Sequence, residues 1–403
     1  MIHVIGLGLG PEHLGPAATR LLATAQVVAG GKRLLDSLNI PADKRLLLTT
    51  VPEFAARLRD RAATDPVCVV ADGDPLLYGL GSTLLRFFSR SELCFHPNVS
   101  ALQAACACFG LAWQDCHVLS LHGRPNLIPL FAALTRADLV GVFTDPERTP
   151  AHIAQKLSER GVTGWCMHVA ERLGGPDQRL STLNLGAAAE LSHDPLNMVL
   201  LERTSQPLCS LGPGIAEDEL EHQDGLITKR PVRALALSLL RLKNDSILWD
   251  LGAGSGAVSL EAAGVLPHGH VTAVERDESR IAQIRVNLAR FGAWNVEPVH
   301  RDLGQFLTDA TTAQPTHVFF GGGVSEQTLS LCCRRLQAAG RLVVTAVLLS
   351  TLEQARRTLD ELGWPLTVHQ LSHHQSRPLG RDLRLVPDNP VFLLETQKAS
   401  STP

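Results

Sequence analysis

Twice along this chain an apolar run breaks on closely spaced glycines and passes into a helical pattern. The first instance is "IGLGLGPEHLG", Ile5 to Gly15, and the second is "LWDLGAGSGAVSLEAAG", Leu248 to Gly264. A strand that turns through glycine straight into a helix is the local mark of a parallel α/β layer, because it brings backbone amides and the positive helix end to one sheet edge. The surrounding sequence agrees. Short β-rich runs ("IHVIGLG", "VCVVADG", "DLVGVFT", "CMHVA", "NMVLLER", then "SILWDLG", "HVTAVER", "THVFFGG", "RLVVTAV") alternate with helical patterns such as "LGPAATRLLATA", "VPEFAARLRDRAA" and "SRIAQIRVNLARFG". No short-period repeat interrupts the alternation.

With 403 residues, the chain can hold two or three domains with full cores. The segment from Arg203 to Arg233 follows a strand, contains Pro and Gly, gathers acids between Glu217 and Asp224, and then opens a helix at "RPVRALALSLLRL". The expected organisation is a domain over residues 1–205, a linker over 206–224 and a second domain over 225–403. A weaker seam at "SLHGRPN" would divide the first domain into lobes of about 1–120 and 121–205.

Composition narrows the function classes. A formal net charge of −3 carries no polyanion-binding signal, so no nucleic-acid partner is expected. No run approaches the ~20 apolar residues of a membrane span, and the N-terminus lacks a basic region followed by a long apolar one, so the expected location is the cytoplasm with no membrane partner. The nine cysteines have no C-x-x-C spacing, and Cys106/Cys108 and Cys332/Cys333 sit in runs that read as buried helix, so reduced core thiols are expected. His373 and His374 are adjacent and would point apart on a strand, and no metal site is expected.

In the second loop, Gly252, Gly254 and Gly256, with Ala253 and Ser255 between them, let a polar ligand approach the backbone closely. Glu275 follows about 20 residues on, at the end of the next strand, where a carboxylate can accept both ribose hydroxyls. Together these imply a nucleoside-containing cofactor. "GAGSGA" also fits the dinucleotide pattern if Ala257 replaces the third glycine, which leaves NAD open. Three features favour S-adenosylmethionine: Asp250 before the glycines, Asp302 after a third strand, and "THVFFGGG" ending a fourth. Asp250 could orient the loop and receive the methionine ammonium. Asp302 could meet an adenine amino group or simply cap a helix.

From about Gly225 onward the sequence resembles the class I methyltransferases. Within them it resembles the cobalamin-pathway branch that methylates carbon 15 of a corrin precursor and decarboxylates its ring C acetate. The resemblance rests on "GLITKRPVRALALSLL", "WDLGAGSGAVSLEAA", "AVERDESRIAQIRVNLARFG", "GRLVVTAVLLSTLEQA" and "SRPLGRDLRLVPDNPVFLLE". It implies cofactor contacts at Thr228, Gly252, Gly254, Gly256, Glu275 and Leu303. Pro231 stands where the family usually has Glu, so that residue's role is not carried over, while proline suits the first turn of a helix.

Residues 1 to about 203 resemble the tetrapyrrole methylase superfamily, the class III methyltransferases, in the branch acting on carbon 5. The motifs are the first glycine loop, "VVADGDPLLYGLGSTL", "FHPNVSALQAACACFGLAWQDCHVLSLHGRP", "FTDPERTPAHIAQKLSERG" and "VAERLGGPDQRLS". This resemblance implies S-adenosylmethionine between two α/β lobes, near Gly8, Gly10, Asp72, Gly73, Asp74, Tyr78 and Ser100. Leu9 replaces a frequent Pro. Asn98 replaces a Gly, and Asn is expected to preserve the turn because it tolerates positive φ.

The two resemblances meet in the fused methyltransferases of the cobalamin pathway. The fold they imply is α/β throughout: an N-terminal two-lobed tetrapyrrole methylase (class III) fold followed by a C-terminal class I Rossmann-like methyltransferase domain. The implied function is a bifunctional S-adenosylmethionine-dependent methyltransferase acting on carbons 5 and 15 of precorrin-6B, with decarboxylation of the ring C acetate to precorrin-8X. One cofactor site per half and a homo-oligomer are also implied. Positional candidates for catalysis are His122, Arg124, Thr228 and Arg233. Clamps for the substrate's carboxylates are sought among Lys229, Arg230, Arg233, Arg377, Arg381 and Arg384. Competing readings are an NAD-dependent oxidoreductase on the same glycines, an RNA methyltransferase, and a half that binds cofactor only to regulate the other. Against RNA stand the missing basic stripe and the 4% aromatic content.

Overall fold

A computed structural model of the chain describes residues 1–400 apart from Pro125, Asp224 and Leu226. The last linker residue expected above, Asp224, and Pro125 of the weaker seam therefore lie outside the described residues. The chain gathers into two compact units whose segments interleave along the sequence: residues 1–124, 139–155 and 166–202 in one, and 125–138, 156–165 and 203–403 in the other.

The first unit carries two sheets. One joins β1 (Ile2–Gly6), β2 (Val27–Gly30), β3 (Arg45–Leu47), β4 (Val67–Ala71) and β5 (Leu93–His96) in the order β3-β2-β4-β1-β5, with every neighbouring pair parallel. The central β4, "VCVVA", is buried along its whole length, which explains its unbroken apolar run. The other sheet joins β6 (His117–Ser120), β7 (Leu139–Phe143), β8 (Trp165–Glu171), β9 (Arg179–Asn184) and β10 (Asn197–Arg203) in the order β6-β7-β10-β8-β9. Here β6 and β7 run parallel, β10 runs antiparallel to β7, and β9 antiparallel to β8.

The sheet of the second unit joins β11 (Ile247–Leu251), β12 (His270–Glu275), β13 (Val296–His300), β14 (His317–Phe320), β15 (Arg341–Ala346), β16 (Leu366–Leu371) and β19 (Val391–Gln397) in the order β13-β12-β11-β14-β15-β19-β16. Six of these strands run in one direction, and β19, between β15 and β16, is antiparallel to both neighbours. Strand order reverses between β11 and β14, so their C-terminal ends open the crevice in which α/β sheets bind ligands. Trp249 of β11 is fully buried and meets Phe306 edge-on, with centroids 4.7 Å apart. A separate two-stranded ribbon, β17 (His374–Leu379) with β18 (Asp382–Pro387), is exposed almost throughout.

The nine cysteines are free. Cys106, Cys332 and Cys333 are buried as expected, but Cys108 is exposed, because the helix Ala101–Phe109 turns it away from the core. Among the described residues, no helix is long and apolar enough to cross a membrane.

Candidate cofactor sites and family

The second glycine loop lies at the switch point of its sheet. Gly252, Gly254 and Gly256 all have positive φ, and Gly256 caps the helix Ala257–Val265 that follows. A methyl group at Gly252 would sit 2.6 Å from the Gly322 carbonyl, because this loop and the one after β14 lie against one another. At Gly254 it would meet nothing within 4 Å. That opening leads into a cavity of about 650 Å³ lined by Thr228, Lys229, Ala253, Gly254, Ser255 and the Gly321–Gly323 turn, a volume within the usual range for small-molecule sites. An adjoining recess of about 230 Å³ shares Gly252 and Gly321–Gly323 and adds Glu275, Asp302 and Leu303.

Glu275 is buried. Its Oε2 accepts the Gly254 amide at 2.9 Å, and its Oε1 accepts the Arg276 and Asp277 amides at 2.9 and 3.0 Å. The carboxylate thus braces the loop while bordering the recess. Asp302 does what a helix cap does, accepting the Gly304 amide at 2.8 Å and the Gln305 amide at 3.4 Å, and it borders the recess as well. Asp250 is wholly buried and does not line either cavity. Its Oδ2 accepts the Ser259 hydroxyl at 2.6 Å and its Oδ1 has no partner. Burial, opposed by Ser259 and reinforced by the nearby Glu275 charge, pushes its carboxyl up to about 7. The buried Ser255 hydroxyl on the cavity wall is likewise unpartnered. An unpartnered hydroxyl, a bare glycine opening and a carboxylate at the recess edge fit a ligand with amino-acid and nucleoside ends.

Arg233 requires a correction. It is fully buried on the helix Arg230–Leu240, where its Nε donates to Glu261 Oε1 at 2.7 Å, its Nη1 to the Thr228 carbonyl at 2.6 Å and its Nη2 to the Ile215 carbonyl. A guanidinium so enclosed cannot reach a substrate carboxylate. It ties the segment before the helix to Glu261, which is also fully buried, on the helix that leaves the glycine loop. Pro231 sits in the first turn, as expected. Lys229 lines the cavity, whereas Arg377, Arg381 and Arg384 are exposed on or at the turn of the ribbon. Arg280, Asp388 and Asn389 also line the cavity, and the sequence analysis gave them no role. Arg280 lies within the helical pattern "SRIAQIRVNLARFG", and Asp388–Asn389 within a stretch noted only for its family resemblance.

In the first unit, β1 and β4 end side by side, and their loops are joined by a pair of backbone hydrogen bonds between Gly8 and Gly73, 3.2 and 3.0 Å. Gly8 and Gly73 both have positive φ, whereas Gly10 is extended. Ser100 is a buried helix cap whose hydroxyl is engaged with Gln103, and its Cα lies 3.4 Å from where a Gly73 methyl would be. Asp74 accepts the Leu76 amide at 2.8 Å, and Asp72 is paired outward with Arg33. Tyr78 has a positive φ of 53° and donates its hydroxyl to the Val118 carbonyl of β6 at 2.8 Å. His122 and Arg124 sit exposed in the turn after β6, which is held by Asp145 accepting the Gly123 amide at 3.1 Å. Burial opposes ionisation of Asp145, but the Arg148 and Gly123 amides and the Arg148 guanidinium outweigh it and hold its carboxyl at about 2. Asn98 departs from expectation. It is not among the residues with positive φ, and instead its amide donates to the Gly6 and His13 carbonyls at 3.0 and 3.1 Å, stapling the first loop.

Comparison with known proteins decides what these loops belong to. The tetrapyrrole (corrin/porphyrin) methylase family matches residues 1–189 and the precorrin methyltransferase domain matches residues 219–398. A precorrin-6Y C(5,15)-methyltransferase [decarboxylating] of Mycobacterium tuberculosis is 34% identical over 97% of this chain and 98% of its own length. This chain belongs to that family. Members of the precorrin-6Y C(5,15)-methyltransferase family join activities found elsewhere as separate proteins. A Salmonella typhimurium cobalt-precorrin-6B C(15)-methyltransferase (decarboxylating) is 36% identical over 43% of this chain and 89% of its own length. A cobalt-precorrin-7 C(5)-methyltransferase of the same organism is 33% identical over 46% of this chain and 92% of its own length. As a member of the family, the chain is an S-adenosylmethionine-dependent C-methyltransferase of cobalamin biosynthesis.

Proposed function

We propose that the two halves work on one macrocycle of the precorrin-6B type. The first, ending by about residue 205, methylates carbon 5. The second, beginning by about 225, methylates carbon 15 and releases the ring C acetate carboxyl as carbon dioxide. Each half uses its own S-adenosylmethionine. The observation that carries the reading is that a chain alignable end to end with the fused enzymes divides into halves that align separately with a C(15) decarboxylating enzyme and a C(5) enzyme.

In the second half, the residues suited to hold the cofactor are Gly254, Ser255 and Thr228 in the cavity wall, and Glu275, Asp302 and Leu303 around the recess. In the first half they are Gly8, Gly73, Asp74 and the residues beside them. S-adenosylmethionine supplies an electrophilic methyl group, which the electron-rich macrocycle attacks through carbon. What the protein contributes is placement and exclusion of water, which can lower a bimolecular barrier by about 7–11 kcal/mol. Lys229 and Arg280, on the cavity wall, are cations placed to meet a substrate carboxylate. The electron pair left by carbon dioxide can spread into the conjugated macrocycle, so the second half needs only to hold the acetate in a poorly solvated position.

The test is to incubate the purified chain with S-adenosylmethionine and the cobalt-free precorrin-6B macrocycle and to weigh the product. The expected gain is two methyl groups with loss of one carbon dioxide. A single methyl group would restrict activity to one loop, identified by the position methylated. No change, with both reactants shown to bind, would overturn the assignment.

A further inference from the structure

Away from both glycine loops, the sheet of β6 to β10 brings together a thiol, an imidazole and a carboxylate. Cys166 and His168 lie two residues apart on β8 and so share a face. Glu202 projects from the neighbouring β10 onto the same spot. Cys166 Sγ is 3.5 Å from His168 Nε2 and 3.8 Å from Glu202 Oε2, and His168 Nε2 is 2.9 Å from that same oxygen. The imidazole is nearly fully buried, covered by the Phe109 ring at a centroid distance of 4.8 Å, while Glu202 remains partly open to solvent.

From these three atoms we infer a binding site for a zinc-class divalent cation, with Cys166, His168 and Glu202 as protein ligands and the fourth position open to water. Bond lengths of about 2.3 Å to sulfur, about 2.0 Å to nitrogen and about 2.1 Å to oxygen set tetrahedral ligand separations of about 3.5 Å for S···N, about 3.6 Å for S···O and about 3.3 Å for N···O. The observed triangle already matches on its two sulfur edges. Only the His168–Glu202 edge must open, by about 0.4 Å, as a cation replaces the proton between them.

The opposite side of the ring is also prepared. His168 Nδ1 lies 2.8 Å from Thr182 Oγ1 on β9, directly across the strand pair. That contact fixes the ring orientation and directs Nε2 at the other two ligands, the part an outer hydrogen bond plays for a metal-bound histidine. In a hydrolytic or acyl-transfer triad, by contrast, the carboxylate would face the nitrogen that Thr182 occupies. A soft thiolate beside imidazole and carboxylate selects zinc-class ions over magnesium or calcium. A bound cation would tie β8 to β10, and through Thr182 to β9, at the strand end where the first unit finishes. This departs from the sequence expectation of no metal, which looked for C-x-x-C spacing. A C-x-H pair on one strand completed by Glu202 on another has no contiguous signature.

The experiment uses the full chain stripped with chelator and titrated with Co²⁺ as a spectroscopic stand-in, then with Zn²⁺. One equivalent of Co²⁺ should produce intense tetrahedral d–d absorption together with a thiolate-to-cobalt charge-transfer band, and Zn²⁺ should displace it and raise Tm. Cys166→Ser should abolish the charge-transfer band, and Thr182→Val should weaken binding about 10-fold. Because buried His168 variants can fail to fold, the near-isosteric Cys166→Ser and the partly exposed Glu202→Gln carry the test, with metal-free melting matched to the parent. No charge-transfer band in the parent, or the same band in Cys166→Ser, overturns the inference. So does its loss on Cys94→Ser instead, which would assign the ion to the His3, Cys94 and His96 group.

Discussion

The two glycine loops look alike in sequence and do different physical work. In the first, glycine serves the crossing of two backbones: a methyl group at Gly6 would collide with the Gly73 carbonyl and lie 2.9 Å from Pro75, and Gly8 is pressed by Asn98. In the second, Gly252 meets the Gly322 turn in the same way, but Gly254 faces open space and Gly256 permits the left-handed start of a helix. Gly6 and Gly8 close a junction, whereas Gly254 leaves a surface bare for a ligand. A glycine motif therefore identifies a place where something must approach the backbone, and only the fold says whether that is protein or cofactor.

If the second loop stays open because a buried scaffold holds it, the largest effect should come from that scaffold. Arg233→Ala would leave Glu261 buried without its partner and free the Thr228 and Ile215 carbonyls. It should destabilise the chain by about 3–5 kcal/mol in urea unfolding followed by tryptophan fluorescence. Unchanged stability with a raised KM for the macrocycle would instead return Arg233 to the role of a clamp. Next comes Asp250, whose folded pKa of about 7 stands above its ordinary 3.8. The folded state thus prefers the neutral acid, so this group's contribution to stability is full below about pH 4, falls as pH rises toward 7 and is flat beyond. Asp250→Asn cannot ionise and keeps an acceptor for Ser259. Its gain over the parent should be near zero at pH 4 and reach up to about 4 kcal/mol at pH 8, read as a pH-dependent difference in Tm.

The comparison of the loops sharpens further at Glu275. Removing its charge with Glu275→Gln should weaken S-adenosylmethionine binding in the second half by about 10- to 100-fold, the value of a charge-assisted hydrogen bond. Methylation at carbon 5 should be untouched. Loss of both methyl groups to the same degree would mean that the halves do not hold separate cofactors.

How much of this was legible beforehand depended on burial. β4 could be read from sequence because a parallel strand covered on both faces is a continuous apolar run, and β11 and β12 because each is a short β-rich run ending at a glycine loop or a charged turn. The three-residue edge strand β3 and the exposed ribbon carry no such signal; Leu383 and Leu385 are apolar yet mostly exposed. The second glycine loop was legible because strand, glycines and distal acid are spaced locally in sequence. Arg233 was read as a catalytic or carboxylate-clamping cation although it lies in register with Ala236 and Leu240 on the buried stripe of its helix, a helical spacing that marks an inward-facing charge. Asn98 was assigned to backbone conformation when its side-chain amide does the work, a choice that depends on Gly6 and His13 being brought near by the fold.

The most direct way to break the comparison is to add the same methyl group to each loop. Gly6→Ala should overpack the crossing with Gly73 and Pro75 and cost about 1–3 kcal/mol of stability with or without cofactor. Gly254→Ala has free space for its methyl group, so its stability cost should be only about 1 kcal/mol, from the positive φ of 58°. The loss should appear instead in calorimetric titration of S-adenosylmethionine, because the methyl group points where the ligand must approach. If Gly254→Ala bound cofactor normally in the second half while Gly6→Ala kept its stability, the contrast between a glycine that closes a crossing and one that leaves room for a ligand would fail. The cavity at the β11–β14 switch point would then no longer be the place to look for the methyl donor.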